Sequence, residues 1–142
     1  MKRPLETAQR WLTQAEHSLS VTRILLDNGL WPEVCFHAEQ TAQLALKAYL
    51  FFEGRRFVNV HSVRTLAEEC IGYDPEFVPL IDYAMILDRY YLSTRYPDAL
   101  PDPAIPFESF SASDARQALG FASEIVGIVR AKIPVEPSEP AP

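Results

Sequence analysis

The chain has 142 residues, of which 48% are hydrophobic, and its formal net charge is -6 at pH 7. This length suits one compact domain with a single core and leaves no room for a second domain. The acidic balance disfavours binding of extended DNA along a broad basic face, because such binding needs many lysine and arginine contacts to phosphates. Any contact with nucleic acid is therefore expected to be local.

Membrane and secretory segments are not apparent in the sequence. No apolar run approaches the roughly 18 residues of a membrane-spanning helix, and the N-terminal residues lack the apolar segment of a secretory signal. We therefore expect a cytoplasmic protein that does not contact a membrane. Cys35 and Cys70 stand among apolar neighbours, which favours buried free thiols over a disulfide or a metal site.

The first half of the chain has the apolar spacing of two long helices. Residues 5–27 form the first predicted helix, which Asn28 and Gly29 are expected to end. The second begins near Pro32, a residue that suits a first helical turn, and runs to about Glu53. Small residues on its apolar stripe indicate that another helix packs closely against it.

The middle of the chain predicts two further helices. A short helix is expected to open at residues 61–62, with a histidine at its start, and to end at Gly72. Asp, Pro and Glu at 74–76 then form the start of a fourth helix whose body covers about 80–94. Pro79 is expected to make the first turn of that helix irregular.

The last part of the chain contains a proline-rich loop, one helix and a tail. Prolines force residues 97–106 into extended or turning chain, and Ser111 with Asp114 forms a capping-box pattern for the final helix. The elements together predict an all-α, up-and-down bundle of four to five helices over residues 1–133. Residues 134–142 contain prolines and glutamates without apolar periodicity, so we predict a disordered tail.

The most distinctive string is Tyr-Tyr-Leu-Ser-Thr-Arg-Tyr-Pro-Asp at 90–98, where the fourth helix meets the loop. An arginine at a helix end can hold a phosphate or carboxylate while flanking tyrosines stack on a base or pack on a neighbour. In the alternative interpretation, Arg95 pairs with Asp98 or Asp88 and the tyrosines belong to the core. Both interpretations stay open from the residues alone.

The second helix supplies further candidates for an anion site. His37 and Gln40 share a face with Lys47 two turns further on, so they are expected to line a groove beside Arg95. His37 is alternatively a core histidine. The three histidines show no i, i+4 pairing, and the sequence has neither a glycine-rich phosphate loop nor a Gly-x-Ser-x-Gly element. No metal site, no cofactor and no catalytic residue is predicted.

Three segments in this order resemble the HEPN family (higher eukaryotes and prokaryotes nucleotide-binding), over residues 8–132. They are Cys-Phe-His-Ala-Glu-Gln-Thr-Ala at 35–42 with Leu-Lys-Ala-Tyr-Leu at 46–50, the histidine that opens the third helix, and Thr-Arg-Tyr-Pro-Asp at 94–98. The resemblance implies a helical bundle that commonly dimerises and is often encoded beside a minimal nucleotidyltransferase. Members of the family range from nucleotide-binding accessory proteins to toxin ribonucleases.

The sequence departs from the ribonuclease branch of the family it resembles. In that branch an arginine is followed, after a gap of four to six residues, by a histidine, and the pair meets its symmetry mate across a dimer cleft. After Arg95 these positions hold Leu100, Pro101 and Asp102, so cleavage of RNA by the usual residues is not expected. Arg56 precedes His61 at a formally suitable spacing, but His61 is expected to cap the third helix.

The favoured hypothesis is a non-catalytic module that binds a nucleotide or RNA at a local site. Its partners are expected to be a second copy of the chain in a homodimer and a minimal nucleotidyltransferase. The alternatives are a toxin-like ribonuclease and a purely structural dimerisation scaffold in which aromatic residues form the interface. The candidate nucleotide-binding residues are Arg95, Tyr96, Asp98, Lys47, His37, Gln40 and Tyr91.

Overall fold

The chain folds as helices joined by short turns in a computed structural model that describes residues 3–135. The α-helices are α1 (Pro4–Asp27), α2 (Trp31–Phe52), α3 (Val63–Ile71), α4 (Ile81–Asp88), α5 (Tyr90–Ser93) and α6 (Ala112–Lys132). Three 3-10 helices cover Pro75–Leu80, Pro97–Ala99 and Pro106–Glu108, and no strand occurs in the range described. The predicted all-α fold is confirmed, whereas residues 136–142 of the predicted tail lie outside the described residues.

The ends of the two long helices follow the predicted pattern. Gly29 and Gly54 both have positive φ, at 72° and 96°, and each lies just beyond the end of α1 or α2. A residue with a Cβ is strained in this left-handed conformation, so glycine lets the chain reverse direction directly after each helix. The predicted ends of both helices are therefore confirmed.

The third helix starts later than the sequence predicts. α3 begins at Val63, and the hydroxyl of Ser62 accepts a hydrogen bond from the Thr65 amide at 3.1 Å. His61 is exposed and precedes this cap, so the expectation that His61 caps the helix is wrong. Serine fills the role because its short hydroxyl reaches a free amide in the first turn. Asp88 adds a second anchor, accepting from the Ser62 hydroxyl at 2.7 Å.

The predicted fourth helix is divided into several segments. Its first turn is the 3-10 helix Pro75–Leu80, which contains Pro79, so the predicted irregularity is confirmed. Proline lacks an amide hydrogen and its ring clashes with the preceding turn, which prevents a regular α-helical start. The predicted continuous body over 80–94 is interrupted at Arg89, between α4 and α5.

Contacts between side chains show how the first two helices run. The Ser18 and Thr41 hydroxyls form a hydrogen bond of 2.6 Å, and the Trp11 and Phe51 rings lie 5.1 Å apart. Because residue numbers rise along one helix as they fall along the other, α1 and α2 are antiparallel.

The direction of α6 completes the topology. The contacts that fix it are Gln9 with Pro134 and Glu16 with Arg130 on the α1 side, and Phe77 with Lys132 and Tyr83 with Phe121 on the α4 side. α6 is therefore antiparallel to α1 and to the segment Pro75–Asp88, and it is parallel to α2. The elements α1, α2, Pro75–Asp88 and α6 alternate in direction, so the predicted up-and-down arrangement is confirmed for these four.

α2 is the central helix of the bundle, and most of its side chains are buried. Alanines recur along its buried face and along that of α6, which lets the two helices approach closely. Cys35 and Cys70 are buried free cysteines, as predicted. Within residues 3–135 no helix is both long and apolar enough to cross a membrane.

Candidate functional site

The end of α5 fixes the position of Arg95. Side chains of Ser93, Thr94 and Arg95 each donate a hydrogen bond to the backbone carbonyl four residues earlier. The Tyr91 carbonyl is among the last carbonyls of α5, which side chains near a helix end can satisfy. For Arg95 the acceptor is the Tyr91 carbonyl, at 2.7 Å from Nη2 and 3.2 Å from Nε. The guanidinium is therefore held against its own helix end.

Three aromatic rings surround the Arg95 guanidinium. Its Cζ atom lies 4.2 Å from the centre of the Phe36 ring, 4.9 Å from that of Tyr96 and 5.2 Å from that of Tyr91. Contacts of this kind orient a guanidinium by cation–π attraction without neutralising its charge. Tyr91 and Tyr96 are exposed at 40% and 51%, so these tyrosines are not core residues.

The charge of Arg95 is available to a ligand. No ion pair within residues 3–135 includes Arg95, so the alternative in which it pairs with an aspartate is not formed. A guanidinium has five N–H donors, and the Tyr91 carbonyl engages two of them. The remaining donors suit the oxygens of a phosphate or carboxylate.

A pocket of about 540 Å³ opens beside Arg95. Its walls come from the first turns of α2, the end of α5 and the proline-rich loop: Pro32, Glu33, Phe36, His37, Thr94, Arg95, Pro97, Ile105, Pro106 and Phe107. Glu33, Phe36 and His37 lie on one face of α2 because their spacing is that of a helical turn. The volume falls within the range of roughly 300–1,000 Å³ found for small-molecule sites.

His37 is half-buried in the wall of this pocket. Its ring packs edge-on against Phe36, with centroids 5.6 Å apart. Burial lowers the pKa of His37, while the nearby Glu33 carboxylate acts in the opposite direction. The imidazole is therefore neutral at pH 7, and its two nitrogens can donate one hydrogen bond and accept another.

A buried carboxylate lies behind the pocket. Glu39 is fully buried and accepts hydrogen bonds from the side-chain amides of Gln40 and Gln43. Burial raises the pKa of Glu39, whereas the two amides and the charge of Arg95 lower it. Gln40 is thus engaged with Glu39, and it does not line the pocket.

Two further predicted residues lie apart from the pocket. Lys47 is buried, and its Nζ atom is 5.9 Å from the centre of the Trp11 ring. Asp98 is exposed in the short helix Pro97–Ala99. Of the predicted site residues, Arg95 and His37 line this cavity. Tyr91 and Tyr96 contact the Arg95 guanidinium but do not line the cavity, and neither do Lys47 and Asp98.

Sequence reasoning did not identify Phe36, Phe107 or Glu39 as part of this region. Phe107 could have been found because it is an aromatic residue in a proline-rich loop, and surface loops often carry binding residues. A glutamate among apolar and small residues on α2 was available as a signal for Glu39. Phe36 had none, since its contact with Arg95 depends on how α2 and α5 pack.

The described residues, 3–135, contain no group of three or more His, Cys, Asp or Glu side chains placed to hold a metal ion. The chemistry of the pocket therefore has to be read from an arginine, a neutral histidine, one carboxylate and aromatic rings. Groups of these kinds are chemically suited to an anion that lies beside a flat, apolar group.

Comparison with protein families gives a match to the HEPN domain over residues 8–132. A protein of Methanocaldococcus jannaschii with the name "Putative toxin MJ1304" is 24% identical over 133 residues, covering 89% of this chain and 88% of that protein. Human sacsin is 32% identical over 120 residues. This match covers 82% of the chain but 3% of sacsin.

Solved structures with the same fold include two close in size to this chain. TT1696 from Thermus thermophilus has a TM-score of 0.77 at 34% identity, covering 88% of this chain and 97% of that one. ST0689, described as an archaeal HEPN homologue, has a TM-score of 0.74 at 30% identity, covering 94% of this chain and all of that one.

Proposed function

The chain belongs to the HEPN domain family, and on this premise we propose that the pocket beside Arg95 binds a nucleotide. The observation that carries the proposal is the Arg95 guanidinium itself, which is held by a backbone carbonyl and three rings and has no carboxylate partner among residues 3–135. A phosphate accepts hydrogen bonds from its free N–H groups. The base then packs against Phe36 or Phe107 in the pocket.

Substitution of Arg95 tests this proposal directly. Arg95→Ala is expected to weaken binding of nucleoside phosphates about 10- to 150-fold, because hydrogen bonds to a charged group contribute roughly 1.5–3 kcal/mol. Arg95→Lys keeps the charge but loses the planar contact with the rings, so an intermediate affinity is expected. Isothermal titration calorimetry with a panel of nucleotides measures both.

Arg116→Ala serves as the matched control, since Arg116 is an exposed helical arginine outside the pocket. It should bind like the wild type, and melting curves should show that each variant is folded. Absence of nucleotide binding by the wild type, or equal binding by Arg95→Ala, would contradict the proposal.

A ribonuclease function is the second candidate, favoured by two observations. One relative carries the name of a toxin, and His37 lies in the same pocket as Arg95 although the sequence lacks a histidine after Arg95. A neutral imidazole is a suitable general base. If this function holds, purified protein cleaves single-stranded RNA and His37→Ala abolishes cleavage. RNA that stays intact over a range of pH values would argue for binding alone.

We also propose that the protein forms a homodimer and assists a minimal nucleotidyltransferase. The exposed aromatic side chains around Arg95 support an interface, because tyrosine and phenylalanine supply rigid contact area. Light scattering tests the dimer, and co-purification with a nucleotidyltransferase encoded beside the gene tests the partner. A monomer in solution and no co-purification would contradict these two points respectively.

A further inference from the structure

A second pocket, of about 740 Å³, lies between α1 and α2. Its lining consists of one residue of α2, Leu44, and six of α1: Glu6, Gln9, Arg10, Trp11, Thr13 and Gln14. Arg10 is exposed, and no ion pair within residues 3–135 includes it. The proposed nucleotide pocket makes no use of these residues.

Trp11 is held firmly in this second pocket. Its ring is half-buried and packs on Phe51 at 5.1 Å between centroids, while the Lys47 ammonium lies 5.9 Å from its centre. A large ring fixed in this way is a surface on which a base can stack. Arg10, the preceding residue in the chain, can contact a phosphate beside that base.

The two pockets lie along the same side of α2. Phe36 and His37 line the first pocket and Leu44 lines the second, with Gln40 between them. These positions recur every three or four residues, so they lie on one helical face, which we call the exposed stripe of α2. Its members are partly exposed, whereas most of α2 is buried. Eight residues separate Phe36 from Leu44, a distance of about 12 Å along the helix.

We propose that a single strand of nucleic acid lies along the exposed stripe of α2, with one nucleotide at Arg95 and another at Trp11 and Arg10. Each end of this path has an arginine that can contact a phosphate and an aromatic ring that can stack on a base. Neither arginine takes part in an ion pair within residues 3–135. The side-chain amides of Gln9 and Gln14 can bond base edges or sugar hydroxyls. The inference rests on the proposed function of the Arg95 pocket and extends it to a second site.

The overall charge limits how long the bound strand is. With a net charge of -6, the protein repels phosphates beyond the two arginines, so the strand spans few nucleotides. When the logarithm of the affinity is plotted against the logarithm of the salt concentration, the affinity for a single strand falls with a slope of about 0.7 for each phosphate neutralised. Two phosphate contacts therefore give a shallow slope of about 1.4.

Fluorescence anisotropy with mononucleotides and a labelled oligonucleotide of about six residues, RNA or DNA, tests the proposal. The oligonucleotide is expected to bind more tightly than any mononucleotide. Trp11→Ala should weaken oligonucleotide binding about 5- to 150-fold through lost stacking, and Arg10→Ala should reduce the salt slope by about 0.7. Neither variant should change mononucleotide binding at Arg95. Preference for RNA over DNA would show that sugar hydroxyls are contacted.

Two controls match these variants. Phe57 is 77% exposed and Arg116 is exposed on α6, and neither lines either of these two pockets. Phe57→Ala and Arg116→Ala should therefore bind as the wild type does. Trp11→Phe keeps a stacking ring and should retain most of the affinity. Since Trp11→Ala removes part of the packing against Phe51, Arg10→Ala on the surface provides an independent test that does not disturb the core.

The outcomes separate this inference from the proposed function. Mononucleotide binding that depends on Arg95, with no gain for the oligonucleotide and no effect of Arg10→Ala, would overturn the strand and leave the nucleotide pocket intact. Loss of binding by every ligand would remove the proposed function as well. A third outcome concerns the dimer. If the protein binds mononucleotides but no oligonucleotide, and Trp11→Ala weakens the dimer, then the exposed stripe of α2 contacts a second copy of the chain. That result would overturn the inference.

Discussion

Glu39 is a carboxylate that is fully buried behind the pocket beside Arg95. Two glutamine amides bond it, and Arg95 lies near enough for its charge to favour the ionised form. Burial acts more strongly in the opposite direction and raises the pKa of Glu39. The protonation state of Glu39 is therefore coupled to the charge of Arg95 at the pocket.

The raised pKa of Glu39 predicts a particular dependence of stability on pH. The folded protein keeps this proton to a higher pH than the unfolded chain does, whose pKa is near the ordinary value of 4.5. The stabilisation is therefore complete below that value and is lost as pH rises through the folded-state pKa. The unfolding free energy of the wild type should fall relative to that of Glu39→Gln over this range. A difference between the two proteins that is constant above pH 4.5 would refute this assignment.

Removing the Glu39 carboxyl altogether has a different expected result. In Glu39→Ala the amides of Gln40 and the buried Gln43 lose their acceptor. An unsatisfied buried polar group costs about 1–3 kcal/mol, so the midpoint of urea unfolding should fall. An unchanged midpoint would indicate that water replaces the carboxylate.

At the scale of elements, Asp88 joins α4 to the start of α3. Its carboxylate accepts from the Val63 amide at 2.6 Å, the Ser62 hydroxyl at 2.7 Å and the Arg64 amide at 3.1 Å. A negative charge is favourable at a helix N-terminus, where amides lack partners. One aspartate thus connects the C-terminal end of α4 to the N-terminal end of α3.

Asp88→Ala should lower the free energy of unfolding by about 2–3 kcal/mol, because these hydrogen bonds end on a charged acceptor. Asp88→Asn keeps one acceptor oxygen and should lose less. Urea denaturation monitored by circular dichroism measures both effects, with the exposed Asp98→Ala as the control. Equal stability of Asp88→Ala and the control would mean that the carboxylate contributes nothing to the junction.

Local patterns in the sequence predicted those elements whose stabilising contacts are themselves local. The capping box of Ser111 and Asp114 is present as predicted, with both reciprocal hydrogen bonds formed, since its partners lie three residues apart. The Asp88 bond to Ser62 spans 26 residues, and no spacing rule reveals such a contact. The interruption at Arg89 was missed because neither glycine nor proline stands near it in the sequence.

The residues of the candidate site also divide into those that are close in sequence and those that meet only through helix packing. Arg95 and its tyrosines were recognisable because they are neighbours in sequence, and the structure places them around one guanidinium. Phe36 joins them only through helix packing, which the sequence does not encode in a short motif. Lys47 shares a predicted stripe with His37 but lies beneath Trp11, because α1 covers that end of α2.

For the molecule as a whole, the two cysteines report on global opening. Burial raises the pKa of Cys35 to about 12 and also raises that of Cys70, and the thiolate is the reactive form. Neither thiol should react with a disulfide reagent in the native protein, while both should react in denaturant. The native labelling rate should therefore follow the unfolding equilibrium as urea is added. Rapid labelling without denaturant would reveal a local opening around one of the cysteines.

The proline-rich loop supplies one wall of the Arg95 pocket but none of the charged residues that line it. Pro97, Ile105, Pro106 and Phe107 line the cavity, whereas the histidine stands on a helix that the core holds in place and the arginine is anchored to the end of another. Loops tolerate insertions and substitutions far better than packed helices do. Substitutions in a short stretch of surface chain can thus reshape the pocket in related proteins, while Arg95 and His37 keep their positions.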